Sequence, residues 1–186
     1  MRDAGGSDTR KDATGVDGDA GTMVLNGVGF LTRAGVSGVI FPDTACAPNN
    51  QSPAFTWSGV PPTAKSLAIS LYDTGAYPEA TSQDMQWALT DIPPTATGLP
   101  ADLPHVSPLV TPSELAGCEQ EDRNHTPGYL GPGANQRVYV FTLWALPVDH
   151  VRVANTDLQG ILGLLQTTSL AHANYKATGR LGGFGP

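Results

Sequence analysis

The chain has 186 residues, enough for one ordinary domain with a sizeable core and not for two. It is 40% hydrophobic and 15% charged, with 22 Gly and 16 Pro, which fits short strands joined by punctuated turns and argues against a helix bundle. A formal net charge of −7 without any Lys/Arg cluster excludes the electrostatic footprint of a nucleic-acid binder or a polybasic membrane anchor, and no run of about 18 apolar residues exists to insert into a bilayer.

Residues 1–22, MRDAGGSDTRKDATGVDGDAGT, nearly lack large apolar side chains and cannot offset their ordering entropy by burial. They read as a flexible acidic Gly/Asp-rich tether ahead of a single domain over 23–186. A Met directly before such a tether is what a truncated sequence would show, so we expect an exported protein, periplasmic, secreted or lipid-anchored, whose leader is not included here. The alternative is cytoplasmic, and a reading frame that starts at Met1 with no upstream leader would decide for it.

Met23 to Phe30 and Gly38 to Phe41 read as short strands separated by a turn around Arg33 to Gly35. A polar loop, Pro42 to Pro53, precedes a strand at Ala54 to Ser58, which ends in the turn Gly59-Val60-Pro61-Pro62. In Ser66 to Tyr72, Leu67, Ile69 and Leu71 alternate with small or polar residues, the mark of a central strand. Met85 to Ile92 is a second strong strand. Arg137 to Leu146 is a third, apolar on both faces, and so predicted to lie between two packed layers. The proline-rich stretch from Pro93 to Pro132 predicts loops, with at most a short helical turn near Pro112 to Gly117. Thr156 to Tyr175 predicts one helix, capped by Asn155 or Thr156, with Leu158, Ile161, Leu162, Leu165 and Leu170 on the face that covers a sheet.

Cys46 and Cys118 lie far apart in turn-rich sequence and fit no C-x-x-C redox or zinc spacing. We expect them to form a disulfide closing a long loop, the other possibility being two unpaired thiols. Trp57, Trp87 and Trp144 fall within strands and read as core. No G-x-S-x-G elbow accompanies His105, His125, His150 or His172, and no phosphate-cradling Gly-rich loop precedes a helix, so the usual serine-hydrolase and nucleotide-binding routes have no motif here.

Several separated segments carry a resemblance. Ser52-Pro53-Ala54-Phe55-Thr56-Trp57-Ser58-Gly59-Val60-Pro61 resembles the S-P-x-x-x-W-x-x-x-P segment of phosphatidylethanolamine-binding proteins, in particular the bacterial branch related to Raf kinase inhibitor protein. Ser66 to Asp73 is similar to the strand leading into that family's D-P-D-A-P motif, and Gln86-Trp87 before Asp91-Ile92-Pro93 to its W-H-W and N-I-P pieces. Thr126-Pro127-Gly128-Tyr129-Leu130-Gly131-Pro132 resembles its T-P-G-Y-x-G-P loop, and Arg137-Val138-Tyr139 occupies its H-R-Y strand. Ser169 to Ala173 is similar to the family's last helix and terminal strand, so the likeness runs in order from Val24 to Gly182.

The resemblance implies a mainly β (α+β) fold of two packed sheets with a C-terminal helix and a small surface pocket for phosphate- or acetate-like anions. The residues it points to are Asp73, Gln86, Trp87, Gly128, Gly131, Pro132, Arg137 and Tyr139. Asp73 matches the first aspartate of D-P-D-A-P, whereas Gly75 stands in place of the second. Gln86 replaces a histidine, keeping a donor but losing titration near neutral pH, and Arg137 replaces another, offering a fork of parallel N–H groups to an oxyanion. The ordinary alternatives are that Arg137 is a surface arginine paired with Asp73 or Asp84, and that Asp73 caps a turn. The expected function is binding of a small anionic ligand, with no catalytic residue, metal or cofactor. A protein partner is the second possibility, since the family includes kinase and carboxypeptidase inhibitors. An enzyme using Asp73 or Asp84 with Arg137 for proton transfer or cyclisation is the third.

Overall fold

The computed structural model describes residues 22–32, 39–74, 85–133, 137–151 and 158–179. The tether up to residue 21, the turn at Arg33 to Gly35, Gly75, Asp84 and the helix cap at Asn155 or Thr156 lie outside the described residues.

Alternation of apolar and small residues produces the strands. Ten are described: β1 (Val24–Val28), β2 (Leu31–Thr32), β3 (Val39–Ile40), β4 (Ala54–Ser58), β5 (Ser66–Asp73), β6 (Met85–Ile92), β7 (Gly98–Leu99), β8 (Glu119–Asp122), β9 (Val138–Leu146) and β10 (Ala171–Thr178), with one helix, α1 (Leu158–Thr168), between β9 and β10. A small sheet has the order β1-β4-β7 and a large one β2-β3-β10-β9-β5-β6-β8. Every pairing is antiparallel except β3 with β10.

The two sheets close on a core in which Leu67, Ile69 and Leu71 of β5 meet Phe55 and Trp57 of β4 and Tyr139, Phe141 and Leu143 of β9. Phe55 and Phe141 meet at a tilt of 58° with ring centres 4.6 Å apart. The other face of the large sheet carries Ala68, Ala88, Trp144 and Leu146 beneath Leu158, Ile161, Leu162 and Leu165 of α1. All eight residues of β5 are buried, those on one face against the small sheet and those on the other beneath α1 and the side chains beside it. The two-faced apolar pattern of β9 has the same origin.

Three expectations need correction. The helix ends at Thr168, and Leu170, assigned to its apolar face, is 45% exposed, with its N–H bonded to the Ala145 carbonyl. Thr167 and Thr168 turn their hydroxyls back onto the Gly163 and Leu164 carbonyls at 2.7 and 2.6 Å, and beyond them the period becomes two, with Ala173 and Ala177 buried and His172, Asn174 and Lys176 exposed. Second, the Pro93 to Pro132 stretch holds a short helical turn at Ser113–Leu115, as expected, but also β7 and β8. Third, Cys46 and Cys118 are unbridged, each buried against different neighbours. The Cys118 thiol points to the Asp91 carbonyl at 3.4 Å, and burial, aided by the Asp91 carboxylate, pushes it up to about 11. Cys46 lies in the loop whose Ala47 N–H bonds the Pro132 carbonyl, beside Tyr129.

Candidate functional site

At one end of the large sheet, β5, β6 and β9 finish side by side. Asp73 is the last residue of β5, Gln86 the second of β6, and Arg137 directly precedes β9. Register places Asp73 opposite Tyr139, so one strand end carries the carboxylate and its neighbour the guanidinium and phenol. Arg137 donates from Nε to Asp73 Oδ1 at 2.9 Å, with the arginine side chain 41% exposed and the aspartate 12%. The pair is the one named above as the ordinary alternative for a surface arginine, and Arg137 also borders an open cavity.

That cavity, about 580 Å³, is lined by Asp73, Gln86, Gly131, Arg137 and Tyr139, all anticipated, and also by Arg123. Arg123 was missed. A tight turn after β8 presents it: the Asp122 carboxylate accepts from the N–H groups of Asn124 and Thr126 at 2.8 and 3.0 Å and from the Thr126 hydroxyl at 2.6 Å. His125, at φ 59°, takes the left-handed position that the turn requires. The Arg123 N–H then bonds the Gln86 carbonyl at 3.0 Å, and its Nη1 approaches Gln86 Oε1 at 3.4 Å. Two guanidiniums against one carboxylate give the described lining a net positive charge in a chain of net charge −7. Asp-Arg-Asn-His-Thr has the form of an Asx turn, and that signal marks the turn but not where its arginine points.

Four anticipated residues have other duties. Trp87 is 1% exposed and belongs to the core, its indole N–H bonded to Gln120 Oε1 at 3.2 Å and its ring edge-on to Tyr129 at 5.4 Å. Gly128, at φ 123°, lies against the ring of His105, and a side chain there would strike it. Gly131 does line the cavity, but its N–H already bonds Asn50 Oδ1 at 3.0 Å, and a Cβ would run into the Ala45 carbonyl oxygen. Pro132 is buried and accepts at its carbonyl from Ala47. Close approach of His105 and of the Ala45 carbonyl accounts for glycine at positions 128 and 131.

Comparison with known proteins bears on this arrangement. Residues 32–180 match the family model PBP, phosphatidylethanolamine-binding protein. The chain belongs to the phosphatidylethanolamine-binding protein family. The UPF0098 protein YbcL of Escherichia coli K12 is 30% identical over 142 residues, which is 72% of this chain and 74% of that protein. A UPF0098 protein of Methanothermobacter thermautotrophicus is 36% identical over 104 residues, 54% of this chain and 64% of that protein. Among solved structures, Escherichia coli YbcL, described as a new member of the mammalian PEBP family, superposes with a TM-score of 0.64 at 23% identity, covering 86% of this chain and 99% of that one. The phosphatidylethanolamine-binding protein homologue CT736 from Chlamydia trachomatis superposes with a TM-score of 0.60 at 20% identity, covering 84% and 96%. Both likenesses establish the fold.

Within a phosphatidylethanolamine-binding protein fold, the positions at which this chain departs from the family motif are the charged ones. Gln86 and Arg137 stand where the resemblance expects histidines, and Arg123 adds a second guanidinium from the turn ahead of the Thr126 to Pro132 loop. An amide and a guanidinium thus stand where the resemblance expects imidazoles, with a second guanidinium beside them, so the positive character of this lining comes from arginine.

Proposed function

We propose that this protein binds a small anionic ligand, bearing a phosphate or a carboxylate, in the cavity at the ends of β5, β6 and β9. The observation that carries the reading is the convergence of Arg123, Arg137 and the Gln86 amide around an open volume in an otherwise acidic chain. Guanidiniums present paired donors that match the spacing of carboxylate and phosphate oxygens. Asp73 takes Nε of Arg137 and so fixes the plane of that fork. Tyr139, fully buried behind it against Phe41 at 5.7 Å, forms the rear wall.

The test is a thermal-shift titration with inorganic phosphate, phosphoethanolamine and acetate on the parent chain and on Arg137→Ala. A ligand that binds only the folded state raises the melting temperature in proportion to the logarithm of its concentration. The reading expects an anion to raise the midpoint in the parent and much less in the variant. If no anion shifts the parent at millimolar concentration, the anion reading fails and attention moves to protein partners.

A further inference from the structure

The outer face of the large sheet is only partly covered by α1. Register sets Asn174, Thr142 and Ser70 in one row across β10, β9 and β5, with His172, Trp144 and Ala68 in the next and Lys176, Val140 and Tyr72 in the third. Beside the last turn of α1, at Gln166, these rows open into a cavity of about 230 Å³ floored by Trp144, Thr142 and Tyr72 and rimmed by His172 and Asn174. We propose that this cavity is a second binding site, for a single uncharged polyhydroxylated ring such as a hexose.

Charge decides the class first. Among the described residues, no Asp, Glu, Lys or Arg lines the cavity, so it differs in kind from the arginine pocket and favours an uncharged ligand. Size decides next. A volume of about 230 Å³ falls below the roughly 300–1,000 Å³ of sites that hold drug-sized ligands, leaving room for one small ring.

The lining chemistry then favours hydroxyls around an apolar patch. The Trp144 indole N–H is already given to Ser70 Oγ at 2.8 Å, so what the residue contributes to the cavity is hydrocarbon. Thr142 donates to Asn174 Oδ1 at 2.7 Å, which orients the Asn174 amide; its N–H groups and the Gln166 side chain make no hydrogen bond among the described residues. A hydroxyl both donates and accepts, and so answers two amides and a threonine oxygen better than a pure donor or acceptor does. Tyr72 borders the same cavity with its hydroxyl buried, so its ring adds further apolar floor. A nucleobase fits less well. Trp144 is only 7% exposed, and the His172 ring tilts over it at 40° with centres 5.4 Å apart, leaving no parallel slot for a flat heterocycle. The puckered edge of a sugar needs none.

The experiment is a proton–nitrogen correlation NMR titration of the full chain with D-glucose, N-acetyl-D-glucosamine and cytidine, repeated in saturating inorganic phosphate. The expected result is a saturable shift of amides in Val140 to Trp144 and His172 to Asn174 on adding a sugar, unchanged by phosphate. His172 and Asn174 are exposed, so His172→Ala and Asn174→Ala should keep the parent spectrum elsewhere while weakening the sugar about tenfold or more. Gln166→Ala gives a third, independent variant on the helix. The proposal is overturned if neither sugar saturates, if the shifts fall at Gln86 and Arg123 instead, if the variants bind as the parent does, or if cytidine binds more tightly than either sugar.

Discussion

Replacing Arg123 by alanine probes the anion pocket with little collateral damage. Its one side-chain contact among the described residues, Nη1 to Gln86 Oε1, is 3.4 Å long, close to the limit for a hydrogen bond, and the arginine is exposed. The turn that carries it is held by the Asp122 carboxylate and by main-chain bonds, none of which the substitution touches. Stability should therefore change by no more than about 0.5 kcal/mol. A hydrogen bond to a charged partner contributes about 1.5–3 kcal/mol, or roughly 10- to 150-fold in Kd, and the exposure of Arg123 places its share toward the lower end. We expect isothermal titration calorimetry at fixed ionic strength to show phosphoethanolamine weakened about ten- to thirtyfold in Arg123→Ala. Arg123→Lys should fall between, because it keeps the charge and loses the fork.

The pH profile sharpens the same test. Guanidinium and amide groups as a class keep their charge state across the neutral range, so the expected pH dependence is that of the ligand. A phosphomonoester takes its second negative charge with a pKa of about 6, so phosphoethanolamine should bind more tightly as pH rises through that value, while acetate stays level. Unchanged affinity in Arg123→Ala, or an equal pH slope for acetate, would refute the reasoning.

Two further predictions concern the scaffold. Gly131→Ala should destabilise the fold by about 1–3 kcal/mol, because the new methyl meets the Ala45 carbonyl and not a movable side chain; urea unfolding checks it, and a loss under about 0.5 kcal/mol contradicts the packing argument. Burial pushes the Tyr72 phenol up to about 12 from its usual value of 10.0, so the folded state holds that proton more tightly than the unfolded chain. The resulting stability is complete below about pH 10 and is lost as pH rises through about 12, an effect of order 2–3 kcal/mol. Chemical unfolding across this range should show the fall, and Tyr72→Phe should remove part of it, leaving the contribution of Tyr129, whose phenol is also raised by burial.

Strands that alternate were legible in the residues themselves. Leu67, Ile69 and Leu71 marked β5, and the doubly apolar run of β9 announced two covered faces, because the pleat sends successive side chains to opposite sides. Strand β8 was not legible. Glu-Gln-Glu-Asp has no apolar period, and it pairs with β6 through its backbone, which any residue supplies. The start of β10 was absorbed into the preceding helix because its small residues, Ala171, Ala173 and Ala177, fit either period until the neighbouring strand claims them.

The same division runs through the candidate site. Gln86, Arg137 and Tyr139 could be placed because each stands in a strand-borne motif, and pairing carries motif residues to a common sheet end. Arg123 could not, since its contribution depends on the turn that Asp122 builds bringing it to Gln86, a neighbour 37 residues away in sequence. By itself the sequence carried the principal strands through local pattern and, through its resemblance to a known family, the mainly β architecture and the expectation that Asp73, Gln86, Arg137 and Tyr139 share one place. Only the tertiary structure decided that Cys46 and Cys118 remain unbridged, that Gly128 and Gly131 make room for His105 and Ala45, and that a second arginine shares the cavity. Each of those depends on which distant atoms occupy the space beside a residue, and neither periodicity nor composition contains that information.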